Sequence, residues 1–491
     1  MTDADLPGRA DVVVAGAGLT GLAVALILAR AGRRVVVVEA RSVGAVTTGN
    51  TTGKLSLLQG GTLGRIREHA GDDALAAYVD ANRAAQEWLI GEIGDDDRIV
   101  QPATACTYAT TPEGDRVADR ELAAARACGV PAESLSTTQS DRLGLPFPAS
   151  RVLALDGQWQ LHPLRVLDRL AERVRARGGR IVEGCRVVGA DVEDDGVLVR
   201  TERASIRAEA LVQATGTPVL DRGLLFARLE PSRALVAAYA LPASSRLPAA
   251  MCLSVDERTR SLRTAQDAEG RQVLLVGSAG FTPGREPDAA DVLDELEDWT
   301  RAAYPDARRV AWWGAQDYRS ATGLPFAGPV PRGGDRVFAA TGYAKWGMTN
   351  AVAAALAIAG DLTGTSSAPR LPQDVPAAAG ETIALNAEVG GRLAAGWFEA
   401  ETSSRPDDEA PPEGHGRIVR HGLHPIAEST VDGVVCRVSG VCTHLGGVLR
   451  WNGAERSWDC PLHGSRFDPR GDVLEGPAVQ ALRAAEEDVR A

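Results

Sequence analysis

Four residues near the C-terminal end can bind metal, and their spacing narrows the choice of metal. Cys442 and His444 lie in "CTHLGG", and Cys460 and His463 lie in "CPLHGS". The pattern is C-x-H, fifteen residues, then C-x-x-H. A structural zinc site usually presents paired Cys followed by paired His. Here each loop offers one thiolate and one imidazole. That suits a [2Fe–2S] cluster in which both Cys hold one iron and both His hold the other. Zinc, or a chance arrangement, is the alternative reading of the spacing.

A second chemical signature opens the chain. The stretch "DVVVAGAGLTGLAVALILARAGRRVVVVEA" (11–40) reads as strand, glycine turn, helix and strand. Gly16, Gly18 and Gly21 form G-x-G-x-x-G. Gly16 permits the tight turn, Gly18 lets backbone approach a pyrophosphate, and Gly21 lets helix pack on strand. The helix N-terminus brings partial positive charge to the phosphates. Glu39, eighteen residues past Gly21, is placed to accept hydrogen bonds from the adenosine ribose hydroxyls. The glycines alone are a weak signal; strand, helix, second strand and terminal acid together indicate a dinucleotide fold.

Later segments select FAD over NAD. "EALVQATGTPVL" (209–220), with Thr215 and Gly216, resembles the second flavoprotein motif that returns the chain to the cofactor. The preceding strand carries Val187, which matches the position that meets adenine in such folds. "DRVFAATGYAKWGMTNAVAAALAIAGDLTG" (335–364) reads as strand, glycine turn and helix. A helix starting near Thr349 would stabilise the negative charge that collects on the pyrimidine edge of reduced flavin. No second G-x-G-x-x-G follows a strand mid-chain, which weakens a nicotinamide-dependent reading.

With "TTGNTTGKLSLLQG" (47–60), "WWGAQDYRSATGLPFAG" (312–328) and "ATGYAKWGMTN" (340–350), residues 1 to about 370 resemble the D-amino-acid-oxidase-like (glycine-oxidase-like) FAD-dependent oxidoreductases. The closer likeness is to members fused to a C-terminal Rieske domain. The resemblance implies bound FAD, a two-domain flavoprotein body and an appended Rieske-type [2Fe–2S] carrier. It implies cofactor contacts at Thr51, Thr52, Gly342, Trp346, Gly347, Met348 and Thr349, and it names no substrate. Of 53 basic residues only Lys54 and Lys345 are lysines, and both fall inside these motifs. As catalytic candidates they would stabilise anionic flavin or bind a substrate carboxylate; otherwise each pairs with a nearby acid or phosphate.

These elements imply an α/β body: a Rossmann-like FAD-binding domain (1–75, 150–220 and 325–370) with an inserted α+β substrate domain (76–149 and 221–324). A docking helix and linker (371–414) and a small all-β Rieske domain (415–491) follow. The helix stripe Leu385, Val389, Leu393 and Trp397 is expected against the flavoprotein body, and Pro-rich, acidic 402–414 is expected as linker. Arg260 and Arg263 could clamp a carboxylate, though solvated strand arginines are the plainer reading. His162 reads as a packed structural residue.

A net charge of −12 argues against a nucleic-acid partner, and no apolar run reaches membrane-spanning length. The acidic start lacks a signal pattern, and five further Cys show no pairing rhythm, so a cytoplasmic setting with reduced thiols is expected. The remaining histidines form no 2-His-1-carboxylate group for a mononuclear iron.

Joining flavin to a cluster points to oxidation of a small CH–NH or CH–OH substrate at FAD, with electrons leaving singly through the cluster to an external one-electron carrier. His444 and His463, on the outer iron, would form the exit. Ferredoxin-driven reduction in the reverse direction, or a non-catalytic redox sensor or carrier, are the competing readings.

Ser465 can donate a hydroxyl to cluster sulfur, whereas Gly447 and Leu462 stand where quinol-oxidising Rieske proteins have a disulfide, and Phe467 stands where they have Tyr. One hydrogen bond and one loop tie are thereby lost. The expected potential lies below those high-potential centres yet within about −150 to +300 mV. An EPR-monitored redox titration checks this; a midpoint equal to the quinol-oxidising class would refute it.

Overall fold

The computed structural model describes residues 5–220, 224–285, 287–365, 368–373, 379–403, 409–422 and 424–485. The first domain is built on a six-stranded sheet ordered Phe326–Pro329, Val337–Thr341, Ala210–Gln213, Val12–Ala15, Val35–Val38, Arg180–Val182. All its pairings are parallel except that of Phe326–Pro329 with Val337–Thr341. The all-apolar strands Val12–Ala15 and Val35–Val38 are buried throughout, as a sheet covered on both faces requires. Helices Leu19–Arg30 and Gly347–Thr363 share one core with this sheet.

A nine-stranded sheet forms the second domain. Its order is Arg308–Ser320, Leu229–Ala240, Gln272–Gly277, Ser261–Gln266, Ala250–Ser254, Val100–Ala109, Arg151–Leu161, Lys54–Leu55, with Glu133–Ser134 on Arg151–Leu161. Three expected boundaries therefore shift. Lys54–Leu55 and Arg151–Leu161, assigned above to the FAD-binding part, hydrogen-bond into this sheet. The long helix Thr62–Ile93, assigned above largely to the substrate part, buries Leu75, Tyr78, Val79 and Leu89 in the first domain's core. Tertiary partners decide such membership, and local pattern does not carry them.

His162 is not packed in a core. It caps helix Pro163–Ala176, its ring nitrogen accepting from the Arg165 amide at 3.5 Å. Nor are the two strand arginines solvated: Arg260 is buried against Glu295, and Arg263 is buried with a 3.5 Å bond to the Leu161 carbonyl.

The C-terminal domain holds two small antiparallel sheets, Gly416–His421/His424–Val431/Val434–Ser439 and Arg450–Asn452/Ser457–Asp459/Arg466–Phe467/Val473–Glu475. Trp458 and Phe467 are fully buried between them. The helix Ala379–Thr402 corrects an expectation. Val389 and Leu393 of its stripe pack on the core of this small domain, and the Trp397 indole donates to the Gly446 carbonyl at 3.0 Å. Its polar side reaches the body instead, through Asn386 to the Ala227 carbonyl and Glu388 to Arg285. Of the expected linker, residues 404–408 lie outside the described residues.

The turn at the head of the first helix is sterically closed. A Cβ on Gly21 would lie 1.9 Å from the Gly16 carbonyl oxygen, and Gly16 itself has φ +103°. Gly21→Ala should therefore cost about 1–3 kcal/mol or more through overpacking. Denaturant unfolding checks it, and an unchanged midpoint would show that the turn can relax.

Candidate functional site

A cavity of about 750 Å³ runs between the first two domains. It gathers Gly16, Gly18, Glu39, Thr51, Thr52, Val187, Thr215, Gly216, Trp346, Gly347 and Met348 with both lysines, Lys54 and Lys345. Gly21, Gly342 and Thr349 stand behind the wall. Gly21 packs on the turn, Gly342 bends the chain at φ +77°, and buried Thr349 accepts from Gln59 at 3.2 Å. The Glu39 carboxylate accepts from the Ala17 and Arg41 amides, each at 2.8 Å, which fixes it at the end of its strand. Burial raises its pKa while those two bonds oppose the rise. The glycine turn, the helix N-terminus behind it and the fixed acid at the strand end fit the dinucleotide half of FAD.

The two lysines reach the cavity from different elements. Lys54, on the nine-stranded sheet, donates to the Cys252 carbonyl at 2.9 Å and to the Ser261 hydroxyl. Desolvation lowers it to about 7. Nearby Arg263 contributes to that lowering, and Arg263 is itself lowered to about 10 by burial. Lys345 sits at φ +73° in the turn before helix Gly347–Thr363. Its amide donates to Asp317, its side chain is open to the cavity, and the surrounding protein lowers it to about 8. Burial raises the Asp317 carboxyl. Asp317 was missed in the sequence because "QDYRS" has no motif spacing; its role depends on a turn 28 residues away.

The four metal-ligand candidates converge. The Cys442 and Cys460 thiols are neighbours, and each shifts the other, lowering Cys442 and raising Cys460. The rings of His444 and His463 lie edge to face with centroids 5.3 Å apart. His463 Nδ1 is buried without a hydrogen-bond partner, and desolvation, with His444 and Arg285 nearby, lowers the ring to about 4. A neutral imidazole with an unused nitrogen, beside two sulfurs, is a donor set suited to the cluster. Ser465 helps hold the Cys442 thiol below its ordinary pKa, and its hydroxyl accepts from the Ala478 amide at 3.0 Å. A Cβ on Gly447 would lie 2.7 Å from the Leu462 side chain, so Leu462 fills the place between the loops where a disulfide was expected to be missing.

The histidine edge does not point outward as expected. Phe226, on the Leu225–Arg228 turn of the body, meets both His444 and His463 edge-on with centroids at 5.1 Å. His463 is 4% exposed. Four body side chains donate to carbonyls of the small domain. They are Arg186 to Val473 at 2.9 Å, Arg285 to Pro461 at 2.8 Å, Gln316 to Gly464 at 2.8 Å and Tyr318 to Gly476 at 3.2 Å. Leu474, Glu475 and Gly476 of the small domain line the same cavity as the dinucleotide motif. Sequence reasoning missed Phe226, Arg233, Gln316 and Tyr318, whose partners lie far along the chain.

Comparison with known proteins agrees with this division. Residues 11–360 match the FAD dependent oxidoreductase (DAO) family, and 413–486 match the Rieske [2Fe-2S] domain. The Bacillus subtilis protein YhfW, named as a Rieske 2Fe-2S iron-sulfur protein, is 28% identical over 99% of this chain and 97% of its own. A cytochrome b6-f complex iron-sulfur subunit of Nostoc is 51% identical over 45 residues, 9% of this chain and 25% of that protein. Among solved structures, glycine oxidase from Geobacillus kaustophilus aligns with TM-score 0.61 at 19% identity, over 75% of this chain and all of that one. L-proline dehydrogenase from P. horikoshii aligns with TM-score 0.60 at 16% identity, over 76% and 96%. These two show the fold of the body. The chain thus belongs to the FAD dependent oxidoreductase (DAO) family and carries a Rieske [2Fe-2S] domain behind its flavoprotein body.

Proposed function

We propose that this FAD- and [2Fe–2S]-dependent oxidoreductase oxidises a small CH–NH or CH–OH substrate and delivers the electrons singly to an external carrier. The observation that carries the reading is the shared wall: Leu474, Glu475 and Gly476 of the cluster domain border the cavity that holds the dinucleotide motif. When bound, FAD supplies two-electron acceptance and the cluster supplies one-electron carriage. Glycine oxidase and L-proline dehydrogenase, named for amino acids with a C–N bond, favour CH–NH over CH–OH.

The residues of this chain do three things in that scheme. Lys54, lowered to about 7 and anchored to Ser261, can take a proton from a substrate amine near neutrality. Lys345 and the start of helix Gly347–Thr363 bring positive charge to one end of the cavity. Leu445, next in sequence to the candidate ligand His444, is 43% exposed and offers a carrier an apolar landing point.

Anaerobic stopped-flow mixing with small secondary amines, amino acids and alcohols tests the reading. Flavin bleaching before cluster bleaching is expected. The reverse order would favour reductive current, and no bleaching with any of them would favour a carrier or sensor.

Lys54 also gives a pH signature. Its folded pKa of about 7 lies below the ordinary 10.5, so between these values the unfolded chain binds the proton that the folded chain has released. Stability of flavin-free protein should therefore rise with pH from about 7 to 10.5, with the full penalty present below 7. The slope from this group is at most about 1.4 kcal/mol per pH unit. Denaturant titrations across that window should show a flatter rise in Lys54→Met; an identical rise would refute the assignment.

A further inference from the structure

Arg233, we infer, is a positioning residue that locks the cluster domain onto the flavoprotein body, so that electrons cross over a fixed contact without a domain swing; this rests on the electron path proposed above. Arg233 lies on the body strand Leu229–Ala240 and is 3% exposed. Its guanidinium forms two bonds to Glu455 and one, at 3.0 Å, to Glu475, both on the cluster domain. Arg466 of the cluster domain completes the group through Asp459 at 3.0 Å, Glu475 at 3.1 Å and Glu455 at 3.2 Å.

Two buried carboxylates, Asp459 and Glu475, and the part-buried Glu455 thus share two arginines, and one of those arginines belongs to the other domain. The four body donors described above end on backbone carbonyls, whereas Arg233 joins charge to charge between the body and the cluster domain. Without it, Glu455, Glu475 and Asp459 would keep a single buried cation. Rehydrating them by separating the domains is then the lower-energy course.

The position of Arg233 ties this charge group to the electron path at both ends. Phe226, which covers His444 and His463, precedes it by seven residues on the same segment. Glu475 directly precedes Gly476, whose carbonyl Tyr318 holds, and both residues line the cavity. Contact there is also sterically tight, because a Cβ on Gly464 would lie 2.7 Å from Pro231 Cβ. When both groups are bound, the flavin would supply one electron per crossing and a cluster held by Cys442, His444, Cys460 and His463 would take it up and pass it to the external one-electron carrier before the second follows.

The test compares wild type, Arg233→Lys and Arg233→Met holoprotein. Amide hydrogen exchange is followed in 460–467 and 473–478, and cluster reduction is timed after rapid photoreduction of the flavin. In R233M the docked state should fall to about a tenth of the molecules, so that 460–467 and 473–478 lose most of their exchange protection and cluster reduction slows about tenfold. Flavin spectra and cluster EPR g-values should stay as in wild type, and R233K should fall between the two. Unchanged exchange, or faster exchange with an unchanged transfer rate, would overturn the proposal. So would altered g-values, which would mean the arginine acts on the cluster's electronics. If R233M does not fold, Glu455→Gln, which weakens the same pair, takes its place. Absence of any flavin-to-cluster transfer in wild type would instead sink the electron path itself.

Discussion

Burying the guanidinium of Arg233 between Glu455 and Glu475 is the constraint around which the two halves of this protein are arranged. Each ion removed from water costs several kcal/mol, and mutual attraction offsets that only when geometry is good and further hydrogen bonds fill the remaining sites. Both conditions hold here. Arg466, Asn452 and Ser457 complete the bonding of Glu455 and Asp459. Such a group is a poor source of net stability and a strong source of specificity, since every carboxylate is satisfied in one docked geometry. Strands Leu229–Ala240 and Arg308–Ser320, paired along their whole length, carry Arg233, Gln316 and Tyr318 on one scaffold. The same scaffold contributes Ser232, Ala234 and Asp317 to the cavity wall.

The cavity wall and the contacts to the cluster domain therefore share a rigid element. A sheet positions side chains more precisely than loops do, and here it serves a cavity on one side and the ligand loops on the other. The two lysines enter that cavity from separate elements. Lys54 comes from the edge strand Lys54–Leu55 and Lys345 from the turn before helix Gly347–Thr363. Their depressed basicity has the same leading cause, the exclusion of water by the protein around the cavity, to which Arg263 adds at Lys54.

What could be read from sequence is what is written locally. Gly16, Gly18, Gly21 and Glu39 fall within one strand–helix–strand unit, and each candidate ligand pair falls within a single tight loop, so spacing was enough to mark them as candidates. The rarity of lysine pointed to Lys54 and Lys345 without locating either. The stripe at Val389 and Leu393 was legible as a stripe; which surface it would cover was not, because both candidate partners are apolar. Arg233 and Gln316 escaped altogether. Their partners lie 222 and 148 residues away, and no local pattern marks an arginine or a glutamine that waits for another domain. The histidine edge was misread for the same reason, since only the folded chain shows Phe226 standing against it.

The burial of the ligand loops also orders events in time. Cys460 and His463 are 2% and 4% exposed, and Pro231 and Gln316 press against Gly464 of the same loop. A scaffold that hands over a preformed iron–sulfur unit needs these side chains in the open. Loading the four candidate ligands after closure would need Pro231 and Gln316 to give way at Gly464, so the fit at this contact favours an order in which the cluster is built first and the domain seated last.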